Sequence, residues 1–150
     1  MRALIRRGDI FYADLRPAVG SEQTGVRPVL VVQNDVSNRL SPTVVVCALT
    51  SQLKRPQLPT HVLVADLDRP APSILLVEQM RTLDKRRLLR RIGHASPSVM
   101  RAVDLALCRS LGLAPPSPQA PGDTPSGAQE SLGALAKSRA SAFDANGRRT

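Results

Sequence analysis

VRPVLVVQNDVSNRLSPTVVVCALT, residues 26–50, contains two short apolar runs, 29–32 and 44–46, that are continuous rather than alternating. A strand with one wet face alternates apolar and polar residues, so a continuous β-branched run marks a strand covered on both faces. These two are therefore read as the central strands of a small β domain. Working outward, further short runs lie at 9–15, 61–65 and 74–77, all separated by Pro, Gly, Ser and Asn. That spacing predicts a mainly β fold with short helices, a small barrel of antiparallel strands.

The end of the domain has helical spacing instead: Val99, Met100, Val103, Ala106, Leu107 and Leu111 come after Ser96-Pro97. Ser96 suits the N-cap, Pro97 the first helical position and Gly112 the stop. A second, shorter helix is expected to begin at Asp84, whose carboxylate can cap the basic turn Lys85, Arg86, Arg87. That basic run is read either as a solvated face or as an RNA contact.

After Leu113 the character changes to APPSPQAPGDTPSGAQESLGALAKSRASAFDANGRRT. Rich in Pro, Gly, Ser and Ala and poor in large apolar residues, residues 114–150 are expected to form a disordered tail, and residues 1–113 the folded domain. The chain has 21 Lys and Arg against 12 Asp and Glu, a formal charge of +9. The tail, with four basic and three acidic residues, contributes +1 of it and leaves +8 on the domain. Such an excess favours a polyanionic partner, nucleic acid or an acidic protein. No run approaches the roughly 20 apolar residues of a membrane span, and no apolar segment succeeds the basic start, so the expectation is a cytoplasmic protein without a membrane partner. Cys47 and Cys108, 61 positions apart, have no companions that would complete a metal site and read as reduced structural thiols.

Two residues are candidates for chemistry. Arg27 precedes Pro28 at the end of the polar loop GSEQTG, residues 20–25. A residue before proline is pushed to extended geometry, so its guanidinium has a defined position from which to grip a phosphate bidentately. Thr50 closes the apolar strand, and its hydroxyl falls where core gives way to solvent. Taken singly, each has an ordinary reading: an arginine at a strand start forms a surface ion pair, and a threonine at a strand end caps a turn. If their strands are neighbours, a cation and a hydroxyl on one phosphate supply orientation and charge stabilisation.

The string from RGD (Arg7 to Asp9) through GSEQTGVRP, VVVCALTSQ and LPTHV to EQMRTLD (Glu78 to Asp84) resembles the MazF/PemK family of messenger-RNA interferases, its Gram-positive members above others, from Arg7 to about Leu111. The resemblance implies a PemK-like barrel related to SH3-type folds, with a C-terminal helix, and a homodimer. It implies the toxin half of a type II toxin–antitoxin pair, opposed by a small acidic MazE-like antitoxin. The activity it implies is metal-independent and cofactor-free cleavage of single-stranded RNA at a short sequence, leaving 2′,3′-cyclic phosphate and 5′-hydroxyl ends. The arginine of the RP motif and the threonine closing the third strand match Arg27 and Thr50 as catalytic residues.

Base selection is expected from Ser21, Glu22 and Gln23 in the loop and from Glu78, Gln79 and Arg81, side chains able to bond exposed base edges. For Glu78 and Gln79 a strand-end ion pair or hydrogen bond is the ordinary alternative. His61 is a possible accessory general base, and His94 reads as structural. One departure concerns the segment DLDRPAP before Ser73, shorter than the usual family loop, so the target sequence does not transfer from relatives. The alternative function is that of a CcdB-like toxin, which shares the fold but binds and inhibits DNA gyrase; a plain RNA-binding barrel is disfavoured because the domain offers only Phe11 and Tyr12 for stacking.

Overall fold

A computed structural model describes residues 4–52, 58–65, 67, 72–115 and 117. Its strands are β1 (Asp9–Asp14), β2 (Val26–Val31), β3 (Thr43–Thr50), β4 (His61–Val64), β5 (Ser73–Asp84) and β6 (Leu88–His94). The helices are α1 (Asp35–Leu40) and α2 (Pro97–Leu111). All strand pairs are antiparallel, in the order β4-β5-β3-β2-β1-β6. The strands read as central, β2 and β3, occupy the middle of that order.

The connection between β5 and β6 shows that this sheet curls. In the run β5-β3-β2-β1-β6 the two are separated by four spacings of about 4.8 Å, roughly 19 Å on a flat sheet. Only four residue steps join Asp84 to Leu88, a reach of at most about 14 Å even fully extended. Those residues are wound into one 3-10 turn, so β6 must come back towards β5, and the sheet is barrel-like.

Both faces of the central strands are buried, which explains their continuous apolar runs. Ile10, Leu30, Val32, Cys47, Leu49, Leu75 and Val77 pack on one side with Val103 and Ala106 of α2. The alternate residues Phe11, Ala13, Leu15, Val29, Val31, Val44, Val46, Ala48 and Leu83 form a second cluster. Burial in the first cluster pushes the Cys47 thiol up to about 12, helped by the Glu78 charge, and both cysteines are free. Helix α2 starts and stops where the sequence indicates: Ser96 accepts from Val99 N, Pro97 is first, and Gly112 takes the left-handed conformation at φ 68°.

Three expectations are corrected. Asp84 does cap, accepting from Arg86 N, but the residues after it, Lys85–Arg87, form a single 3-10 turn and not a helix. The run 74–77 is only the first part of the twelve-residue β5. Strand β6 and the six-residue α1 lie where no element is read from the sequence. Strand β6 is an edge with four exposed positions, two of them arginines, the usual way a sheet edge is kept from pairing with strangers, and it carries little apolar signal. Residues Met1–Pro115 group into one compact unit, and apart from Ala114, Pro115 and Ser117 the expected tail lies outside the described residues.

The RGD motif fastens the ends of this unit. Arg7 donates from Nε to Val32 O (2.9 Å) and pairs with Asp104 of α2 (2.7 Å). Gly8 has φ 94°, and a Cβ there would sit 3.0 Å from the His94 ring, so only glycine fits. Asp9, 2% exposed, accepts from Arg6 N, Arg91 and His94. Burial alone would raise its pKa, but the bonds from His94, Arg6 N and Arg91 outweigh burial and hold it below the ordinary value. Asp9 therefore stabilises the fold fully above the unfolded carboxylate pKa of about 3.9, and that contribution is lost as pH falls through the lower folded value. Asp9→Asn is expected to cost about 1–3 kcal/mol at neutral pH. Urea unfolding at pH 7 and at pH 3 checks it: the gap between wild type and variant should shrink in acid.

Candidate functional site

Strand β5 does not track β3 residue for residue. Against a step of two residues on β3, Val46 to Ala48, stands a step of five on β5, Arg81 to Leu76. The residues between, with Glu78 and Gln79 among them, bulge out of the ladder and are free to point elsewhere. They point at the loops. The Gln79 amide accepts from Gln23 N and donates to Ser21 O, both at 3.3 Å, pinning the loop between β1 and β2. Arg81 donates to Leu15 O (3.1 Å), where that loop leaves β1. On the other side the Glu78 carboxylate accepts from Thr60 Oγ1 (2.9 Å) and from His61 Nε2 (2.8 Å), holding the start of β4.

Between these two fastened walls is a cleft of about 390 Å³ lined by Ser21, Gln23, Thr50, Gln52, His61 and Glu78 among others. A second hollow of about 330 Å³, sharing Gln23, Glu78 and Gln79, continues it towards Leu15, Glu22 and Arg81. Thr50 lies on the floor, 8% exposed, with its Oγ1 accepting from Gln52 N at 3.2 Å, so the turn-capping reading holds for it as well. Arg27 is half-buried at the start of β2. The β2–β3 register pairs Val29 with Ala48. Continued by two residues on each strand, that register would set Arg27 opposite Thr50, and residues facing each other across an antiparallel pair share a side of the sheet. Arg27 Nε donates to Thr24 O (3.0 Å), which orients the guanidinium and leaves its terminal nitrogens without an acceptor among the described residues.

Of the residues expected to form a site, the structure brings Thr50, Ser21, Gln23, His61, Glu78 and Gln79 to one cleft and sets Glu22 and Arg81 in its continuation; Arg27 lines neither hollow. Glu22 is partly occupied, its Oε2 capping Val19 N at 2.9 Å. His61 departs from the accessory-base reading. Leu58 N donates to its Nδ1 (3.3 Å), so the neutral ring carries its proton on Nε2 and donates it to Glu78. Glu78 is lowered below its usual value: burial would raise it, but its own backbone N–H and the bonds from His61 and Thr60 prevail. The pair is a clamp, and no free nitrogen remains to take a proton. Two participants, Thr60 and Gln52, escape the sequence reading, although both stand inside the family-like strings LPTHV and ALTSQ. His94, read as structural, is bound to Asp9 and lines neither hollow of the cleft. No three His, Cys, Asp or Glu side chains among the described residues are grouped to hold a metal ion.

Comparison with known proteins places the chain in a family. The family of PemK-like, MazF-like toxins of type II toxin–antitoxin systems matches residues 6–111. The chain is 51% identical over 113 residues to the endoribonuclease EndoA of Bacillus subtilis (strain 168), covering 73% of this chain and 97% of that one. Among solved structures it is similar to MazF from Deinococcus radiodurans, with a TM-score of 0.66, 27% identity, and coverage of 75% of this chain and 100% of that one. A mycobacterial endoribonuclease in complex with its cognate antitoxin gives a TM-score of 0.62 at 30% identity, covering 76% and 99% of the two chains.

The Gln79 latch makes a direct expectation. In Gln79→Ala the two bonds to the loop disappear while the β5 ladder stays, so hydrogen exchange of the Gln23 amide should quicken roughly fivefold or more, the factor for about 1 kcal/mol. Exchange of core amides such as Leu30 should not change. Equal protection of Gln23 in both proteins would show that the loop needs no latch.

Proposed function

This chain belongs to the PemK-like, MazF-like toxins of type II toxin–antitoxin systems, and on that premise we propose that it is an endoribonuclease that cuts single-stranded RNA, messenger RNA above all, at a short sequence. What supports the proposal is a cleft walled by two fastened loops with Thr50 on its floor, together with a β2–β3 register that, continued past Val29–Ala48, would set Arg27 opposite Thr50.

The chemistry asks little of the enzyme beyond placement. The 2′-oxygen of the nucleotide before the cut attacks the adjacent phosphorus, the bond from phosphorus to the 5′-oxygen breaks, and a 2′,3′-cyclic phosphate and a 5′-hydroxyl result. The 2′-hydroxyl gives up its proton and the departing 5′-oxygen gains one. In between, negative charge gathers on the non-bridging oxygens. The Arg27 guanidinium offers its unoccupied terminal nitrogens to that charge, and the Thr50 hydroxyl adds a short-range donor. The nucleophile belongs to the substrate, so no metal-bound water is needed. The base is left unassigned, since His61 has Nδ1 occupied by Leu58 N and Nε2 by Glu78.

The working unit is a homodimer with RNA lying across both chains. It acts in the cytoplasm, where its substrate is, and none of the described helices is long and apolar enough to cross a membrane. Its partner is an acidic MazE-like antitoxin that occupies the ground RNA would take, as suits a strongly basic domain.

Mapping new ends on a long defined RNA, with EDTA present, tests the activity: discrete cuts are expected. Growth arrest without any cut would favour the gyrase-binding alternative. Arg27→Ala and Thr50→Ala should each fold normally by circular dichroism and lose cleavage by about a hundredfold or more, with Thr50→Ser recovering part of it. A chain ending at Leu113 should cut at the rate of the full chain, placing the activity in residues 1–113.

A further inference from the structure

Three successive carbonyls mark the neck of the loop between β1 and β2, and two arginines outside the loop supply donors to all of them. Arg87 Nη1 donates to Asp14 O (3.3 Å) and to Arg16 O (2.7 Å), while Arg81 Nη1 donates to Leu15 O between them (3.1 Å). Leu15 N in turn donates to Gly25 O (2.9 Å), which ties the near end of the loop to its far end. At that far end Thr24 O accepts from Arg27 Nε (3.0 Å). The strand register runs the same way: β1 lies between β2 and β6, and its Ala13 is paired with Arg27 on one side and on the other with Leu88, the residue after Arg87. Arg87 itself is half-buried and lines neither hollow of the cleft.

We propose that Arg87 is a positioning residue for RNA cleavage: it holds the neck of the β1–β2 loop so that Thr24 O stays where it orients the Arg27 guanidinium. This rests on the endoribonuclease reading of the cleft. Hydrogen bonds from a cation are shorter and stronger than neutral ones, so a single guanidinium shared by two carbonyls is a firm tie for a strand end. Without it two of the three carbonyls lose their donor, and the neck is left to Arg81 and to the bond from Leu15 N. The Arg27 side chain would still be present, but displaced, and a misplacement of about 1 Å in a reacting group is enough to cost up to about a hundredfold in rate. Both bonds of Arg87 leave from one nitrogen, so a lysine ammonium, with three donors on one atom, can replace it. A planar fork gripping a phosphate through two nitrogens could not be replaced in that way.

The test uses the full-length protein and a short RNA carrying one site that the wild type cuts. Single-turnover cleavage is measured for wild type, Arg87→Met, Arg87→Lys, Arg27→Ala and the Arg27→Ala/Arg87→Met double variant, and binding is measured on the same RNA blocked by 2′-deoxy substitution at the cut. Arg87→Met should cut about tenfold more slowly. It should bind the blocked RNA with the affinity and salt dependence of wild type, and Arg87→Lys should regain most of the rate. In the Arg27→Ala background the same Arg87→Met change should cost less than about twofold, because its effect passes through Arg27. If Arg87→Met does not fold by circular dichroism, Arg87→Gln, too short to span both carbonyls, takes its place in every comparison. A wild-type rate in Arg87→Met, an equal loss with and without Arg27, or a lysine variant no better than the methionine one overturns the assignment. So does a weaker binding of blocked RNA with a flatter salt dependence, the mark of a lost phosphate contact. Absence of any wild-type cut would instead overturn the endoribonuclease reading itself.

Discussion

The candidate site depends on an irregularity in β5, where a step of five residues stands against a step of two on β3. In an unbroken ladder Glu78 and Gln79 would alternate between the two apolar clusters and the strand would have nothing to offer the loops. Released by the bulge, they reach in opposite directions, Gln79 to the loop before β2 and Glu78 to the start of β4. Such latches are weak individually, about 1 kcal/mol each, against an ordering cost of about 1–2 kcal/mol for every loop residue. They can therefore only select among shapes the loop already favours. The loop does have its own internal order, from Leu15 N on Gly25 O (2.9 Å) and Glu22 on Val19 N (2.9 Å). Gln79 docks a preformed loop, which asks less of two hydrogen bonds than folding one.

The most conspicuous motif, Arg7-Gly8-Asp9, plays no part in the cleft. Its three residues join β1 to β6 and α2 through Asp104, His94 and Arg91, closing the ends of a curled sheet whose other fastening is the turn at Lys85–Arg87. Asp9 is the costly member, a carboxylate 2% exposed, and it is tolerable because three donors converge on it. Specificity of sequence here reflects specificity of packing, which is why motif recognition alone would have pointed at the wrong end of β1.

What could be read from the sequence obeys the same division. Continuous apolar runs gave away β2 and β3 because both faces of those strands are buried, and α2 was legible from its period, its Ser96 cap and its Gly112 stop. Strand β6 was not, since an exposed edge bearing Arg90 and Arg91 has no apolar period to detect. The second half of β5 was hidden by the bulge that makes it useful: polar residues at consecutive positions break the alternation that marks a strand. In the site, Thr50 and Arg27 could be nominated because each stands at a strand end beside a turn signal. The clamp of His61 on Glu78 could not, because it depends on Leu58 N occupying Nδ1, a contact set by the path of the chain before β4.

The positive charge of the domain also falls into kinds once the hydrogen bonds are assigned: Arg16, Arg86 and Arg91 are paired with carboxylates. Arg7, Arg81, Lys85 and Arg87 donate to carbonyl oxygens of their own chain and serve as struts. Arg6, Arg39, Arg90, Arg101 and Arg109 are exposed and act at a distance, attracting any polyanion over a Debye length of about 8–10 Å. Arg27 belongs to none of these groups, held by one nitrogen and open at two. On the proposed function, arrival of RNA is governed by the exposed set and falls with added salt, while the bond-making step is governed by Arg27 in a partly shielded setting where salt has less purchase. An acidic antitoxin drawn by the same exposed arginines would arrive by the same route, so a toxin of this design is silenced by the very field that brings it substrate.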